Sequence, residues 1–262
     1  MSYETLKLER NNGILEITVN RPDKLNALNA TVLSELKKVL EEVKADGFET
    51  KGIILTGEGD KAFIAGADIK GMSEMTPDQA ESFGALGQDV SRLFETVPVP
   101  VIACVNGFAL GGGCEMAMSC DFIYATSNAL FGQPEVNLAL IPGFGGTQRL
   151  RRYVGVARSK EIIYTGRNIK IDEAEKIGLV TRVFNSKDEM MSAARETLGV
   201  VASKSPLIIA KCKEVINAGE SADIDQGLSI EKSGFKSVFS TQDTKEGLAA
   251  FLEKRKPNFT GK

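Results

Sequence analysis

The stretch that decides the fold is Asn106-Gly107-Phe108-Ala109-Leu110-Gly111-Gly112-Gly113-Cys114-Glu115, near the middle of a chain of 262 residues. It follows the apolar run Val101–Val105, which is typical of a buried strand, and it leads into a predicted helix at Cys114–Ser119. A helix N-terminus presents unsatisfied N–H groups, and glycine allows a ligand oxygen to reach them. The pattern therefore favours an oxyanion-binding turn over a flexible turn. A phosphate loop is disfavoured, because neither Gly-Lys-Ser/Thr nor Gly-x-Gly-x-x-Gly is present.

Two further features have the composition of a ligand site. The segment Phe63-Ile64-Ala65-Gly66-Ala67-Asp68-Ile69-Lys70 has small residues that permit close approach of a ligand to the backbone, although taken alone it fits a packing loop better. Glu115 and Glu135 each follow a glycine-containing turn in apolar surroundings, where a glutamate is unusual. A pair of carboxyl groups around one water can activate it and supply a proton. Spacing alone does not show that the two meet in space.

Composition restricts the possible chemistry. The chain contains no histidine, so Ser-His-Asp and Cys-His mechanisms are excluded and a general base must be a carboxylate, cysteine, lysine or tyrosine. The four cysteines have no CxxC spacing, so we expect no metal site and reduced thiols. The net charge of −3 gives no reason to expect a nucleic-acid partner.

Alternation of short apolar runs with helical periodicity predicts an α/β core. Residues Thr5–Arg10 and Ile14–Asn20 predict a β-hairpin, and the pattern becomes mostly helical from about Gly145 onward. We therefore predict a core over residues 1–200 and a helical region over residues 201–262. The start, Met1–Thr5, resembles neither a signal peptide nor a mitochondrial presequence, and no apolar run reaches transmembrane length. The expectation is a cytoplasmic protein with no membrane partner.

Five motifs stand in a fixed order along the chain. They are Arg21-Pro22-x-x-x-Asn26-Ala27-Leu28, Ala65-Gly66-Ala67-Asp68-Ile69, Asn106-Gly107-x-Ala109-x-Gly111-Gly112-Gly113-x-Glu115, Gly132-Gln133-Pro134-Glu135 and Pro142-Gly143-x-Gly145-Gly146-Thr147-Gln148-Arg149. Together they resemble the motifs of the enoyl-CoA hydratase (crotonase) family, and the resemblance covers essentially the whole chain. Within that family the chain looks most similar to bacterial short-chain crotonases that dehydrate 3-hydroxybutyryl-CoA.

The resemblance implies a crotonase (ClpP/crotonase-like) spiral of ββα units, with an α-helical C-terminal trimerisation region that also closes the CoA site. It implies a homotrimer, or a hexamer made of two trimers. The implied reaction is the reversible syn hydration of a short-chain trans-2-enoyl-CoA, such as crotonyl-CoA, to the 3-hydroxyacyl-CoA. No cofactor is implied, because coenzyme A is part of the substrate.

The resemblance also assigns roles to individual residues. The backbone N–H groups of Ala67 and Gly112 would form the oxyanion hole, Glu115 would act as base toward water, and Glu135 would donate a proton to C2. Gln133 and the Gly143 N–H would orient these groups. The residues that would line the CoA moiety are Leu25, Ala27, Leu28, Ala65, Asp68, Ile69 and Lys70, with Lys70 near the phosphates.

Other functions of the same family remain alternatives at this point. A Δ3,Δ2-enoyl-CoA isomerase needs one acid only, so the presence of both glutamates in motif favours a hydratase. Hydrolases and decarboxylases of this fold keep the oxyanion hole but usually change one or both acids. Some family members bind RNA, which the net charge of −3 disfavours here.

Overall fold

The ten strands of residues 3–262, the part of the chain that the computed structural model describes, form two sheets. Met1 and Ser2, which begin the N-terminal segment considered above, lie outside the described residues. The strands are β1 Leu6–Asn11, β2 Ile14–Val19, β3 Gly52–Gly57, β4 Ala62–Ile64, β5 Val101–Val105, β6 Phe108–Leu110, β7 Phe122–Thr126, β8 Leu130–Gly132, β9 Asn168–Lys170 and β10 Arg182–Phe184.

One sheet has six strands in the order β1-β2-β3-β5-β7-β10, and the other has four in the order β4-β6-β8-β9. The β1–β2 hairpin and the β8–β9 pair are antiparallel, whereas the remaining pairs are parallel. The predicted hairpin is therefore confirmed.

Eleven helices connect or cover these sheets within residues 3–262. They are α1 Ala30–Ala45, α2 Ile69–Met72, α3 Pro77–Thr96, α4 Gly112–Ser119, α5 Gly146–Val154, α6 Val156–Thr165, α7 Ile171–Lys176, α8 Lys187–Ala202, α9 Pro206–Gly219, α10 Ile224–Val238 and α11 Gln242–Leu252. Short 3-10 helices occupy Pro22–Lys24 and Pro134–Leu138. None of these described helices is long and apolar enough to cross a bilayer.

The chain passes repeatedly from the six-stranded sheet to the four-stranded sheet and then into a helix. The successive units are β3-β4-α3, β5-β6-α4 and β7-β8-α5, with α2 preceding α3 and a 3-10 helix preceding α5. Parallel strands need such crossover connections, because a tight turn can join only antiparallel neighbours. This arrangement confirms the predicted spiral of ββα units.

The six-stranded sheet is covered on both faces, which explains why its central strands are continuously apolar. Side chains alternate between faces: Ile53 and Leu55 of β3 point into the main core, whereas Ile54 packs toward α8. The main core lies between this sheet, the four-stranded sheet and helices α1, α3 and α4. Met190 and Leu198 of α8 fill the second, smaller core.

The N-termini of the two long helices that border the main core are set by their caps. The side chain of Asn29 accepts a hydrogen bond from the Val32 N–H at the start of α1. At the start of α3, Thr76 and Gln79 form a capping box, and Pro77 occupies the first helical position. These caps satisfy N–H groups that the helix leaves open, which fixes the entry of each helix.

The helices after residue 202 attach to the core through a few buried polar groups. Lys213 of α9 donates hydrogen bonds to the carbonyls of Phe94 and Val99 and pairs with the carboxylate of Asp121 at 2.8 Å. Helix α8 packs on the six-stranded sheet and ends at Ala202. Many apolar side chains of α9, α10, α11 and the residue that follows α10 are exposed, namely Ile216, Ile224, Leu228, Phe235, Phe239, Leu248, Phe251 and Leu252.

Candidate active site

A cleft of about 410 Å³ lies between the loop after β4, the N-terminus of α4, α3 and the segment after β8. Its size is in the range of small-molecule sites, and its lining is mostly apolar. The polar groups that it contains are two carboxylates and the backbone of two glycine-rich segments. The residues that line it are Ala65, Gly66, Ala67, Ile69, Met72, Ala80, Phe83, Gly84, Leu110, Gly111, Gly112, Glu115, Pro134, Glu135, Leu138, Leu140, Ile141, Gly143 and Phe144.

A second cavity, of about 480 Å³, lies between α9 and the ends of α4 and α5. Its charged side chains pair with one another: Arg149 with Glu95 at 2.5 Å, and Lys213 with Asp121 at 2.8 Å. These pairs join α9 and α5 to the core. The smaller cleft is therefore the better candidate for chemistry, because a carboxylate oxygen there is buried and finds no hydrogen-bond partner among residues 3–262.

Ala67 and Gly112 each have a backbone N–H that is unpaired within its own element, for different structural reasons. Leu28 forms an isolated parallel bridge to Ala67, in which the Leu28 N–H donates to the Gly66 carbonyl and the Asp68 N–H donates to the Leu28 carbonyl. In such a bridge the N–H of the central residue, Ala67, points away from the partner strand. Gly112 is the first residue of α4, so its N–H has no acceptor within the helix. Both residues line the cleft, and their role as an oxyanion hole stays a prediction.

Glu115 stands on the first turn of α4 and is 1% exposed. Its Oε1 accepts hydrogen bonds from the N–H groups of Phe144 at 2.8 Å and Gly146 at 2.6 Å. Burial, opposed by these N–H donors and reinforced by the nearby Glu135 carboxylate, raises the pKa of Glu115 to about 7. A carboxyl group with this pKa can exchange a proton near neutral pH.

Glu135 lies in the 3-10 helix Pro134–Leu138, on the other side of the cleft. Its Oε2 is buried without a hydrogen-bond partner among the described residues. Burial raises the pKa of Glu135 as well. The structure therefore brings together the two glutamates that the sequence singled out, although they belong to different elements.

Glycines make the approach of these side chains possible. A Cβ on Gly111, whose φ is +50°, would lie 2.9 Å from Oε1 of Glu135. A Cβ on Gly146 would lie 2.0 Å from Oε1 of Gln133 and 2.9 Å from Oε1 of Glu115. A side chain at Gly111 or Gly146 would displace the carboxyl groups of Glu135 or Glu115, which explains why both positions are glycine.

Gln133 and Gly143 were predicted to orient the acids, but among the described residues neither donates a hydrogen bond to Glu115 or Glu135. The Gln133 amide donates to the carbonyls of Gly111 at 3.1 Å and Gly132 at 3.3 Å, and so fixes the turn that precedes α4. Gly143 lines the cleft, and its carbonyl accepts a hydrogen bond from Gln88 of α3. The N–H groups that bind Glu115 are those of Phe144 and Gly146, which the sequence did not single out for this role.

The two segments predicted to line a CoA moiety do lie together. The Ala65 N–H donates to the Leu25 carbonyl at 3.1 Å, next to the Leu28–Ala67 bridge. Ile69 and Lys70 are exposed near the cleft mouth. Ala27 is partly exposed on the first of these two segments.

Two residues of the predicted ligand-lining set also have a role in holding the fold. Leu28 is fully buried in the main core, and its N–H and carbonyl both serve the bridge to Ala67. The Asp68 carboxylate pairs with Arg21 at 3.0 Å, and this ion pair lowers the pKa of Asp68. Asp68 therefore fastens the loop to the 3-10 helix region. Arg21, which the sequence did not single out for this role, also donates to the Ala27 carbonyl.

The described residues form no cluster of side chains suited to binding a metal ion. Among residues 3–262, no group of three acidic or cysteine side chains lies close enough together to hold a metal ion.

Comparison with known proteins gives one consistent answer. A model of the Enoyl-CoA hydratase/isomerase family matches residues 9–262. The chain is 48% identical over 256 residues to the short-chain-enoyl-CoA hydratase of Clostridium acetobutylicum, with 98% of this chain and 97% of the relative covered. It is 49% identical over 262 residues to the crotonyl-CoA hydratase of Syntrophomonas wolfei, with 100% of both chains covered. The crystal structure of an enoyl-CoA hydratase from Bacillus anthracis matches with a TM-score of 0.94 at 39% identity, covering 99% of this chain and 100% of that chain.

Proposed function

This chain belongs to the enoyl-CoA hydratase/isomerase family, and we propose that it catalyses the reversible syn hydration of a short-chain trans-2-enoyl-CoA to the 3-hydroxyacyl-CoA. Two relatives that are nearly half identical over essentially the whole chain are named for this reaction on short or crotonyl substrates. The observation that carries the proposal is the pair of glutamates, the buried Glu115 and the half-buried Glu135, that line one cleft together with Ala67 and Gly112.

The N–H groups of Ala67 and Gly112 serve the thioester. Addition of an oxygen nucleophile to C3 moves negative charge onto the thioester oxygen, which becomes an enolate oxygen. Two preorganised N–H donors stabilise that charge more than they stabilise the neutral carbonyl, and this difference lowers the barrier. The position of Gly112 at the start of α4 adds the partial positive charge of the helix N-terminus.

The two glutamates handle the protons. In the hydration direction the Glu115 carboxylate accepts a proton from water as the water oxygen bonds to C3. The protonated Glu135 then donates its proton to C2, so that the elements of water are added and one proton remains on Glu115. Exchange with solvent restores both groups. Burial in an apolar cleft suits this work, because it raises the pKa values of both carboxyl groups toward neutrality.

The presence of both acids separates hydration from double-bond isomerisation. A single carboxyl group suffices to move a proton between two carbons, whereas hydration needs a base for water and an acid for C2. Both carboxyl groups are present in the cleft here, and Oε2 of Glu135 has no hydrogen-bond partner among the described residues. The isomerase is therefore the weaker alternative.

The test is hydration of crotonyl-CoA, followed as loss of enoyl-thioester absorbance, by the wild type, Glu115→Gln and Glu135→Gln. Each substitution keeps the size and hydrogen bonding of the side chain but abolishes proton transfer. We expect each to lower kcat by roughly 10²–10⁴, with a double variant little worse than either single one because the pair acts as a unit. Loss of hydration in only one of the two single variants would favour the isomerase.

We also propose that the protein assembles as a trimer, or as a hexamer of two trimers. The exposed apolar side chains of α10 and α11, including Leu228, Phe235 and Phe251, support this assembly, because a monomer would leave them in water. Light scattering should give a mass of three or six times 28.2 kDa. A stable monomer would refute the assembly without touching the proposed chemistry.

A further inference from the structure

We propose that the ring of Phe144 closes the acyl end of the cleft and sets the upper limit on acyl chain length. This inference rests on the proposed function, because it concerns the acyl group of an enoyl-CoA. It assigns to one side chain a selectivity that neither the family match nor the glutamate pair explains, since both would serve acyl groups of any length.

The ring of Phe144 fills the space between α3 and α4. A Cβ on Gly87 of α3 would lie 2.2 Å from a ring carbon, and one on Gly112 of α4 would lie 3.0 Å from the opposite edge of the ring. The ring therefore rests directly on the backbone of both helices. Phe83 packs against it edge-on, with ring centroids 5.4 Å apart and an interplanar angle of 65°. Both aromatic rings line the cleft.

The backbone of Phe144 is held from both sides, so the ring has little freedom to leave. Its N–H donates to Glu115 at 2.8 Å, and its carbonyl accepts from the Ser91 hydroxyl at 3.2 Å and the Arg149 guanidinium at 2.8 Å. The residue is 3% exposed. Moving the ring aside for a long chain would require these contacts and the packing on Gly87 to be given up.

The position of the ring relative to the proposed chemistry fixes which substrate atoms it meets. It contacts Gly112, whose N–H would bind the thioester oxygen, and its own N–H binds Glu115, which would activate water for C3. The reacting carbons must therefore lie within a few atoms of the ring. A short tail beyond C3 fits beside the ring, whereas a longer tail in this direction meets it.

The experiment measures chain-length selectivity in Phe144→Leu and Phe144→Ala, with Phe94→Leu as the matched control. Phe94 is a fully buried phenylalanine of the main core on the same helix, α3, as Phe83, and it is not among the residues that line the cleft. The primary readout is kcat/KM for trans-2-octenoyl-CoA divided by kcat/KM for crotonyl-CoA. The second readout is the ratio of Kd values for octanoyl-CoA and butyryl-CoA, measured by calorimetry without turnover.

We expect both Phe144 variants to raise the octenoyl-to-crotonyl ratio by at least about tenfold, the lower end of what one methylene is worth in an apolar pocket. Phe94→Leu should keep the wild-type ratio. Wild-type ratios in folded Phe144→Leu, or an equal shift in Phe94→Leu, would overturn the proposal. Should Phe144→Ala fail to fold, Phe144→Leu decides alone. A wild type that hydrates no enoyl-CoA would refute the proposed function, and the Kd ratio would still decide the role of Phe144.

Discussion

The buried carboxyl group of Glu115 should make the stability of this protein depend on pH, and Glu115→Gln should abolish that dependence. Burial and the nearby Glu135 carboxylate raise the pKa of Glu115 from 4.5 to about 7 in the folded protein. In the unfolded chain a glutamate has a pKa of about 4.3. Because the folded pKa lies above the unfolded one, the contribution of Glu115 to stability is fully present below about pH 4.3 and is lost as pH rises through about 7.

The size of the effect follows from the difference between these two pKa values. Each pKa unit corresponds to about 1.4 kcal/mol, so raising the pH from 4.5 to 8 should cost the wild type about 3 kcal/mol through this group. Glutamine does not ionise, and its amide oxygen can accept the same two N–H groups, of Phe144 and Gly146. The stability of Glu115→Gln relative to the wild type should therefore increase by about 3 kcal/mol over this pH range.

The assay is urea unfolding of wild type and Glu115→Gln between pH 4.5 and 8, at one fixed protein concentration because assembly contributes to stability. Glu81→Gln, which removes an exposed carboxylate from α3, is the control and should change stability by at most about 0.5 kcal/mol at every pH. Parallel wild-type and Glu115→Gln curves, within about 1 kcal/mol from pH 4.5 to 8, would show that Glu115 ionises in the folded state as it does in water.

Three further outcomes test other parts of the site. Because the mechanism needs Glu115 ionised and Glu135 protonated, kcat/KM for crotonyl-CoA should have a bell-shaped dependence on pH, and a flat profile from pH 5 to 8 would contradict this. Gly112→Pro removes an N–H donor and should lower kcat by about 10²–10³ in a protein whose circular dichroism shows it folded, so normal turnover would exclude that N–H from the mechanism. Gly84→Ala should stabilise α3 by about 0.4–1 kcal/mol and so raise Tm, because its Cβ meets only the Gly143 carbonyl at 4.0 Å. Gly87→Ala should lower Tm, because its Cβ would lie 2.2 Å from the ring of Phe144. Equal Tm values for the two alanine variants would show that the ring is not fixed there.

Apolar runs and periodicity were sufficient to predict several elements of this fold. The strand Val101–Val105 has the predicted bounds, the two hairpin strands differ from prediction by at most one residue at each end, and the helix predicted at Cys114–Ser119 begins two residues earlier, at Gly112. These elements succeed because a buried strand is continuously apolar and a helix that borders a core repeats its apolar residues every three to four positions. Such elements can therefore be predicted from the local sequence pattern alone.

The four-stranded sheet was harder to predict, for a physical reason. β4, β6 and β9 have three residues each, which is too short for an alternating pattern, and β6 lies inside the stretch that was interpreted as a glycine-rich turn. Their pairing is fixed by contacts with distant segments. Gly113 shows this dependence, because a Cβ there would lie 1.9 Å from the Ile64 carbonyl of β4. A glycine chosen for close packing between two elements looks in sequence like a glycine chosen for flexibility.

Part of the candidate site could likewise be predicted from the sequence, and part of it depends on tertiary packing. Glycine content and apolar context identified Glu115 and Glu135, but their presence in one cleft depends on the packing of α4 against the segment after β8. The family resemblance assigned the whole segment Leu25–Leu28 to the ligand, and it does not show that the side chain of Leu28 is fully buried in the core. The donors to Glu115 are backbone groups of Phe144 and Gly146, and no side-chain pattern reports the direction of a backbone N–H.

The backbone and the side chain of Phe144 have separate functions in the cleft. Its backbone N–H holds Glu115, and its ring closes the space beside the reacting carbons. Substitution by any residue other than proline keeps the N–H, so the ring can change while the hydrogen bond to Glu115 persists. Selectivity for chain length can therefore be altered at this position without removing either proton-transfer group. Gly146, the other donor, offers no such freedom, because a side chain there would collide with Gln133 and Glu115. Replacing the side chain of Phe144 should therefore change the selectivity for acyl chain length, whereas adding a side chain at Gly146 should disturb Glu115 itself.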